Sequence, residues 1–192
     1  MSEAEGTNSA RRIAILDAAM DVFMRYGFKK TSMDDLARAA GISRQGLYLH
    51  FATKEALFKE TVLRVVEATR AGGRAAMADD AHDLETRLLD SFVAVHGALI
   101  GLPGAEHWNE LLATSVELVG PVVDELETAF VADVAKLLRT EGVVARWKDL
   151  GFTAKDLAEQ LFSTSCGLKH RVKSQTAYRD SMKVAIRMLV RR

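Results

Sequence analysis

Between Gly41 and Lys54 the chain reads GISRQGLYLHFATK, and no acidic residue interrupts it. Arginine grips the O6 and N7 of guanine with two donors, and glutamine matches the N6 and N7 edge of adenine. Arg44 and Gln45 therefore form a pair suited to base edges. Gly46 removes a side chain where a backbone would approach a groove. Tyr48, His50 and Lys54 suit phosphates, contacts that position a reader without carrying sequence information. Tyr48 equally suits half-buried packing, and His50 a helix C-terminus, where a cation is favoured. Ser43 at the start of the run, with Thr31 and Ser32 ahead of it, completes the candidate DNA-binding set.

These side chains need a rigid support, and the flanking residues predict one. Thr31 and Ser32 precede Asp34 and Asp35, which places carboxylates at the positive end of a helix dipole. That short helix, about Met33–Ala40, stops at Gly41, and Ser43 caps a second one through about His50. Two short helices around a glycine turn form a helix-turn-helix. Leu36, Ala37, Ala40, Ile42 and Leu47 make the inward set, which leaves Ser43, Arg44, Gln45, Gly46 and Tyr48 outward. Ahead of them, Ile13, Leu16, Met20 and Phe23 recur at helical spacing up to Gly27.

The rest of the chain also reads as helix. Thr53 caps a helix running to about Arg70, and AGGRAAMADDAH is the expected joint between domains. Leu84, Leu88, Phe92, Val95, Leu99 and Leu102 form the next stripe, ended by Pro103-Gly104. Further helices are expected over about 106–119, from Pro121 to Gly142, from Thr153 through Leu168, and from Thr176 through Leu189. No β alternation of useful length is present. The expectation is an all-α protein of about nine helices, with 1–8 a disordered leader, 9–52 a three-helix DNA-binding domain and 53–192 a helical bundle.

Composition narrows the function classes. Lys+Arg and Asp+Glu each number 26, so a globally basic nucleic-acid binder is excluded. The charge is uneven, however. Residues 1–70 carry 11 basic and 9 acidic side chains, 71–141 carry 4 and 13, and 142–192 carry 11 and 4. No run reaches the length of a membrane span, the N-terminus lacks a secretory apolar core, and one cysteine permits no intrachain disulfide. A cytoplasmic protein without membrane association is expected.

The histidines at 50, 82, 96, 107 and 170 show no metal-ligand spacing, and no G-x-S-x-G elbow exists, so neither metal, cofactor nor catalysis is expected. Phe92, His96, Trp108, Glu110, Leu112, Phe130, Val134 and Phe162 are candidate lining for a pocket between bundle helices, and equally serve as ordinary core. Leu157, Leu161, Thr164 and Leu168, with Tyr178, Met182, Ile186 and Leu189, form two stripes suited to a four-helix dimer contact. Cys166, in a run of small residues, reads as an inert thiol.

The run ILDAAMDVFMRYGFKKTSMDDLARAAGISRQGLYLHFATKEALF resembles the N-terminal domain of the TetR family of transcriptional regulators. The matching positions include Ala18, Phe23, Gly27, Thr31, Ala37, Gly41, Leu47, Tyr48, His50, Phe51 and Lys54. The resemblance covers roughly residues 11–60. It implies three N-terminal helices with a short reading helix, then a bundle that binds a small organic effector and dimerises through its last two helices. It further implies a homodimer that represses from a palindromic double-stranded operator and lets go when the effector binds. An activator with the same DNA domain, and a bundle enzyme or carrier with an incidental helix-turn-helix, are the alternatives. Gln45, Gly46 and Leu49 depart from the commonest family pattern, so the operator sequence is not inherited.

Overall fold

The computed structural model describes residues 3–97, 100–101 and 107–191. Among them are nine α-helices, one 3-10 helix and no strand. In chain order they are α1 (Glu3–Tyr26), α2 (Met33–Ala39), α3 (Arg44–His50), α4 (Lys54–Ala78), α5 (Leu84–Val95) and α6 (Trp108–Val119). Then come α7 (Val122–Thr140), the 3-10 helix Val143–Leu150, α8 (Ala154–Arg171) and α9 (Gln175–Val190). The all-α expectation holds. α1 already starts at Glu3, so most of the stretch expected as a disordered leader is helical. Leu99 and Leu102 of the predicted stripe lie outside the described residues.

Two compact units make up the chain, Met1–Val66 with Pro103–Val122, and Glu67–Leu102 with Val123–Arg192. This differs from the expected division after residue 52. α6 belongs with the N-terminal helices, and α4 contributes residues to both units.

The first unit is centred on a cluster from α1 to α4. Phe23, Leu36, Leu47, Phe51, Leu57 and Phe58 are at most 2% exposed. Phe58 meets Phe23 edge-on at 5.1 Å and Phe28 at 4.9 Å, an arrangement the ring quadrupoles favour. Ser32 caps α2 through a reciprocal box with Asp35, whose carboxyl the Ser32 hydroxyl holds below its ordinary pKa. Gly27 has φ +77°, and a Cβ there would sit 2.7 Å from the Glu110 carboxylate of α6. That carboxylate accepts the Lys29 N–H at 3.0 Å, tying α6 to the turn after α1.

The second unit packs α5, α7, α8 and α9 around Leu88, Phe92, Val134, Leu138, Ala158, Leu161, Tyr178, Met182 and Ile186. The expected joint AGGRAAMADDAH is continuous helix as far as Ala78. Its glycines serve close packing: a Cβ on Gly73 would lie 3.3 Å from Val95 and 3.6 Å from Phe130. Arg87 closes the end of α4 by donating to the Met77 carbonyl, and it also pairs with Glu141. The Glu85 carboxylate is gripped by Arg187 and Arg191, joining α5 to α9.

Inside this unit a polar chain crosses the apolar core. The Tyr178 hydroxyl donates to the Phe92 carbonyl at 3.2 Å and lies 2.5 Å from Ser165 Oγ. Burial pushes the Tyr178 pKa up to about 12, so the phenol stays protonated. Tyr178→Phe would take one of two partners from the buried Ser165 hydroxyl and leave it the His96 contact alone. The expected outcome is a loss of about 1–3 kcal/mol, read by urea denaturation of the second unit's helical signal. An unchanged midpoint would mean that the hydroxyl holds nothing together.

Candidate nucleic-acid interface

α3 has seven residues, and its geometry follows from what it buries. Leu47 is 0% exposed and Phe51, which closes the helix, is 2% exposed. Ser43 caps the N-terminus by accepting the Gly46 N–H at 3.0 Å. Arg12 of α1 donates to the His50 carbonyl at 2.9 Å, lies over the Phe51 ring at 4.2 Å, and pairs with Glu60 of α4. The C-terminus of α3 is thereby held from outside its own length.

With that face fixed, Ser43, Arg44, Gln45, Tyr48 and Leu49 are exposed, and Gly46 and His50 half-buried. Arg44 pairs with Asp34 of α2 at 3.0 Å and lies 5.7 Å from the Tyr48 ring centre. Both charges are largely exposed, so this contact steers the guanidinium more than it stabilises the fold. Leu49 is 83% exposed beside Tyr48 and was absent from the candidate set. Its phase, one residue after Tyr48 and two after buried Leu47, was the signal that it points outward.

Two candidates are placed differently from the expectation. Thr31 is 3% exposed and its hydroxyl donates to the Gly27 carbonyl at 2.7 Å, so it shapes the α1–α2 turn rather than offering a donor to DNA. Lys54 Nζ donates to the carbonyls of Phe28 and Thr31, both at 2.9 Å, and lies 4.3 Å from the Phe28 ring centre. A long cationic side chain next to a helix-turn-helix suggests phosphate; here its charge is committed to two backbone oxygens. Ser32 is exposed but occupied as the α2 cap.

The pocket candidates separate between the units. Phe92, His96, Phe130, Val134 and Phe162 come together in the second, with Phe92 and Phe130 edge-on at 5.0 Å and His96 and Phe162 at 5.1 Å. Glu110 and Leu112 lie in the first unit, where Glu110 holds Lys29. Trp108 opens α6, and its side chain lies outside the described set. The helical phase within α6 was legible, but not which unit the helix would join.

The dimer candidates need correction too. Leu157, Leu161, Tyr178, Met182, Ile186 and Leu189 are at most 6% exposed within the second unit, so they form its own core. Thr164 and Leu168 are half-buried. Exposed apolar side chains on or just before α8 and α9 include Leu150, Phe152, Val184 and Met188. A groove of ≈ 780 Å³ runs beside them, lined in part by Trp147, Gln160, Ala185 and Met188. Cys166 is half-buried, and burial raises its thiol pKa, which favours the unreactive form. No cluster of three or more potential metal ligands occurs among the described residues.

Residues 15–61 match the family model described as bacterial regulatory proteins, tetR family. The HTH-type transcriptional repressor ComR of Escherichia coli K12 is 34% identical over 84 residues, covering 44% of this chain and 40% of ComR. The HTH-type transcriptional regulator RutR of the same organism is 37% identical over 59 residues, covering 31% of this chain and 28% of RutR. The matches thus span well under half of these relatives. A TetR-like transcriptional regulator from Rhodococcus sp. RHA1 shares the fold, with TM-score 0.63 and 24% identity over 93% of this chain and 95% of that one.

The role of Lys54 can be tested. Lys54→Met keeps an unbranched apolar side chain and removes the ammonium, with its contact over the Phe28 ring and both hydrogen bonds. The first unit should lose about 2 kcal/mol of stability, read by chemical denaturation without DNA. A variant of undiminished stability that binds all DNA more weakly would return Lys54 to phosphate contact.

Proposed function

We propose that the chain, whose residues 15–61 match the tetR family model, is a TetR-family regulator that represses transcription as an effector-released homodimer. The observation that carries the DNA reading is the exposed Arg44, Gln45, Tyr48 face of α3, opposite buried Leu47 and Phe51. Arg44 takes guanine, Gln45 adenine, and Tyr48, Ser43 and the half-buried His50 hold the backbone beside them. The protein acts in the cytoplasm, where operator DNA is; among the described residues no helix is long and apolar enough to cross a membrane.

One chain carries one reading helix, and two half-sites lie about 34–36 Å apart on one face of the duplex. A second copy is therefore required. The exposed Val184 and Met188 of α9, together with the groove beside α8, support a symmetric contact there. Regulation is a population shift: an effector held by the second unit favours a conformer with the wrong half-site spacing. α4 is the mechanical link, because one continuous helix supplies residues to both units.

Operator selection on the wild type and Arg44→Ala tests the reader. The variant should bind its preferred site roughly tenfold to a hundredfold more weakly and lose discrimination at one base pair per half-site. An unaltered sequence preference would remove Arg44 from base reading. Comparing promoter output with and without the protein separates repressor from activator.

Assembly has its own measurement. Met188→Asp should give folded monomers by light scattering and circular dichroism, and operator affinity should collapse with the dimer. A variant that stays dimeric would move the interface elsewhere. Leu161→Arg and Ile186→Asp do not serve here, because both would disrupt the core of a single subunit.

A further inference from the structure

Leu49 is the most exposed large apolar side chain among the described residues, at 83%. Its direction is set by what surrounds it in α3. Leu47 and Phe51, two places before and after it, are buried, and Arg12 holds the His50 carbonyl. Leu49 therefore points away from the core of the first unit. Helical side chains lean back toward the preceding turn, so Leu49 extends over the stretch that begins with Gln45, four residues earlier. Gly46 adds no side chain to that stretch, and a Cβ there would crowd the Ser43 cap at 3.2 Å. Gln45 and Leu49 thus share one ridge of the helix, as Arg44 and Tyr48 share the next.

The isobutyl group stands apart from other exposed apolar surface. Among the described residues of the first unit, the other exposed large apolar side chains are Ile13, Tyr26, Tyr48, Leu63 and Val116, and only Tyr48 belongs to α3. The remaining outward positions of α3 and its cap, Ser43, Arg44 and Gln45, are hydrogen-bonding side chains. Residues 41–54 contain no carboxylate, and Asp34 of α2 is paired with Arg44. A protein-binding face would gather several apolar side chains into one patch. A single apolar group among donors matches a surface that is polar with one apolar projection. The major-groove edge of DNA has that character: its bases offer donors and acceptors, and the thymine C5-methyl is the apolar group among them.

We propose that Leu49 contacts a thymine C5-methyl group and so selects a T·A pair in each half-site. This contact rests on the DNA-binding reading of α3 and adds an apolar determinant to Arg44 and Gln45. Four residues of helix rise about 6 Å and successive base pairs about 3.4 Å. The thymine therefore lies within about two base-pair steps of the pair that Gln45 contacts.

The test starts from an operator selected out of random duplexes by the full chain. Each thymine of one half-site is replaced in turn by deoxyuridine, which keeps every hydrogen-bonding group and removes only the methyl. Fluorescence anisotropy compares wild type, Leu49→Ala and Gln45→Ala on each duplex, and the discrimination lost by Gln45→Ala locates its own base pair. At one nearby thymine, uracil should weaken wild-type binding about fourfold, the worth of burying one methyl-sized group. Leu49→Ala should bind the thymine operator more weakly and treat thymine and uracil alike at that position, because both changes remove the same contact. Gln45→Ala should still prefer thymine there. The contact is refuted if the selected site has no thymine within that distance, or if no uracil substitution separates wild type from Leu49→Ala. It is equally refuted if Leu49→Ala alters the oligomeric state by light scattering and keeps the methyl preference. Its failure is distinct from failure of the DNA reading. If Arg44→Ala loses its base pair while Leu49→Ala still prefers thymine, only the Leu49 contact falls. If Arg44→Ala and Gln45→Ala both leave the sequence preference unaltered, α3 is not the reader and both fall.

Discussion

A helix of seven residues does not persist by itself in water, because nucleation costs more than its few hydrogen bonds return. The direction of the exposed face of α3 therefore depends on what fixes the helix from outside. Leu47 and Phe51 anchor its inner side in the aromatic core of the first unit. Arg12 secures its last carbonyl and Ser43 its first amides. With both ends and one face fixed, the outward direction of Arg44 and Gln45 is no longer adjustable. A side chain must be held this firmly before two-donor recognition of one base edge can discriminate among bases.

The same economy explains why two cationic residues of the first unit face its own backbone. Lys54 bridges the carbonyls of Phe28 and Thr31, and Arg12 serves α3. Charged donors on carbonyl groups form stronger hydrogen bonds than neutral ones, and they replace partners that a short turn cannot supply. Glu110 plays the matching acidic part from α6 by accepting the Lys29 amide. The exposed face of α3 is thus supported by charge that is spent within the unit.

The second unit solves a different problem. Most of its interior is aliphatic and aromatic, yet Tyr178, Ser165 and His96 run through it in a line. The Tyr178 hydroxyl meets the Phe92 carbonyl and Ser165 Oγ, and Ser165 Oγ meets His96 Nδ1, so each buried hydroxyl has a partner. Gly97 permits the close approach, since a Cβ there would lie 3.2 Å from the Tyr178 ring.

Local information carried a large part of this protein. Glycine turns, serine and threonine caps, and three- to four-residue spacing gave the helices, because each is a short-range effect of backbone geometry. The exposed face of α3 was legible for the same reason: helical phase relative to Leu47 decides it. What the sequence left open depends on partners distant along the chain. Gly72 and Gly73 read as a break, but neighbours at positions 94, 95 and 130 turn them into contact points within a helix. The Leu157 and Ile186 stripes are apolar in either setting, and only packing made them one subunit's core. Lys54 looked like a phosphate ligand, and Thr31 like a DNA contact, until the fold put carbonyls beside them. Residue type determines what a side chain can bond to; tertiary structure decides which partner arrives first, because hydrogen bonds act over a few ångströms and sequence does not measure distance.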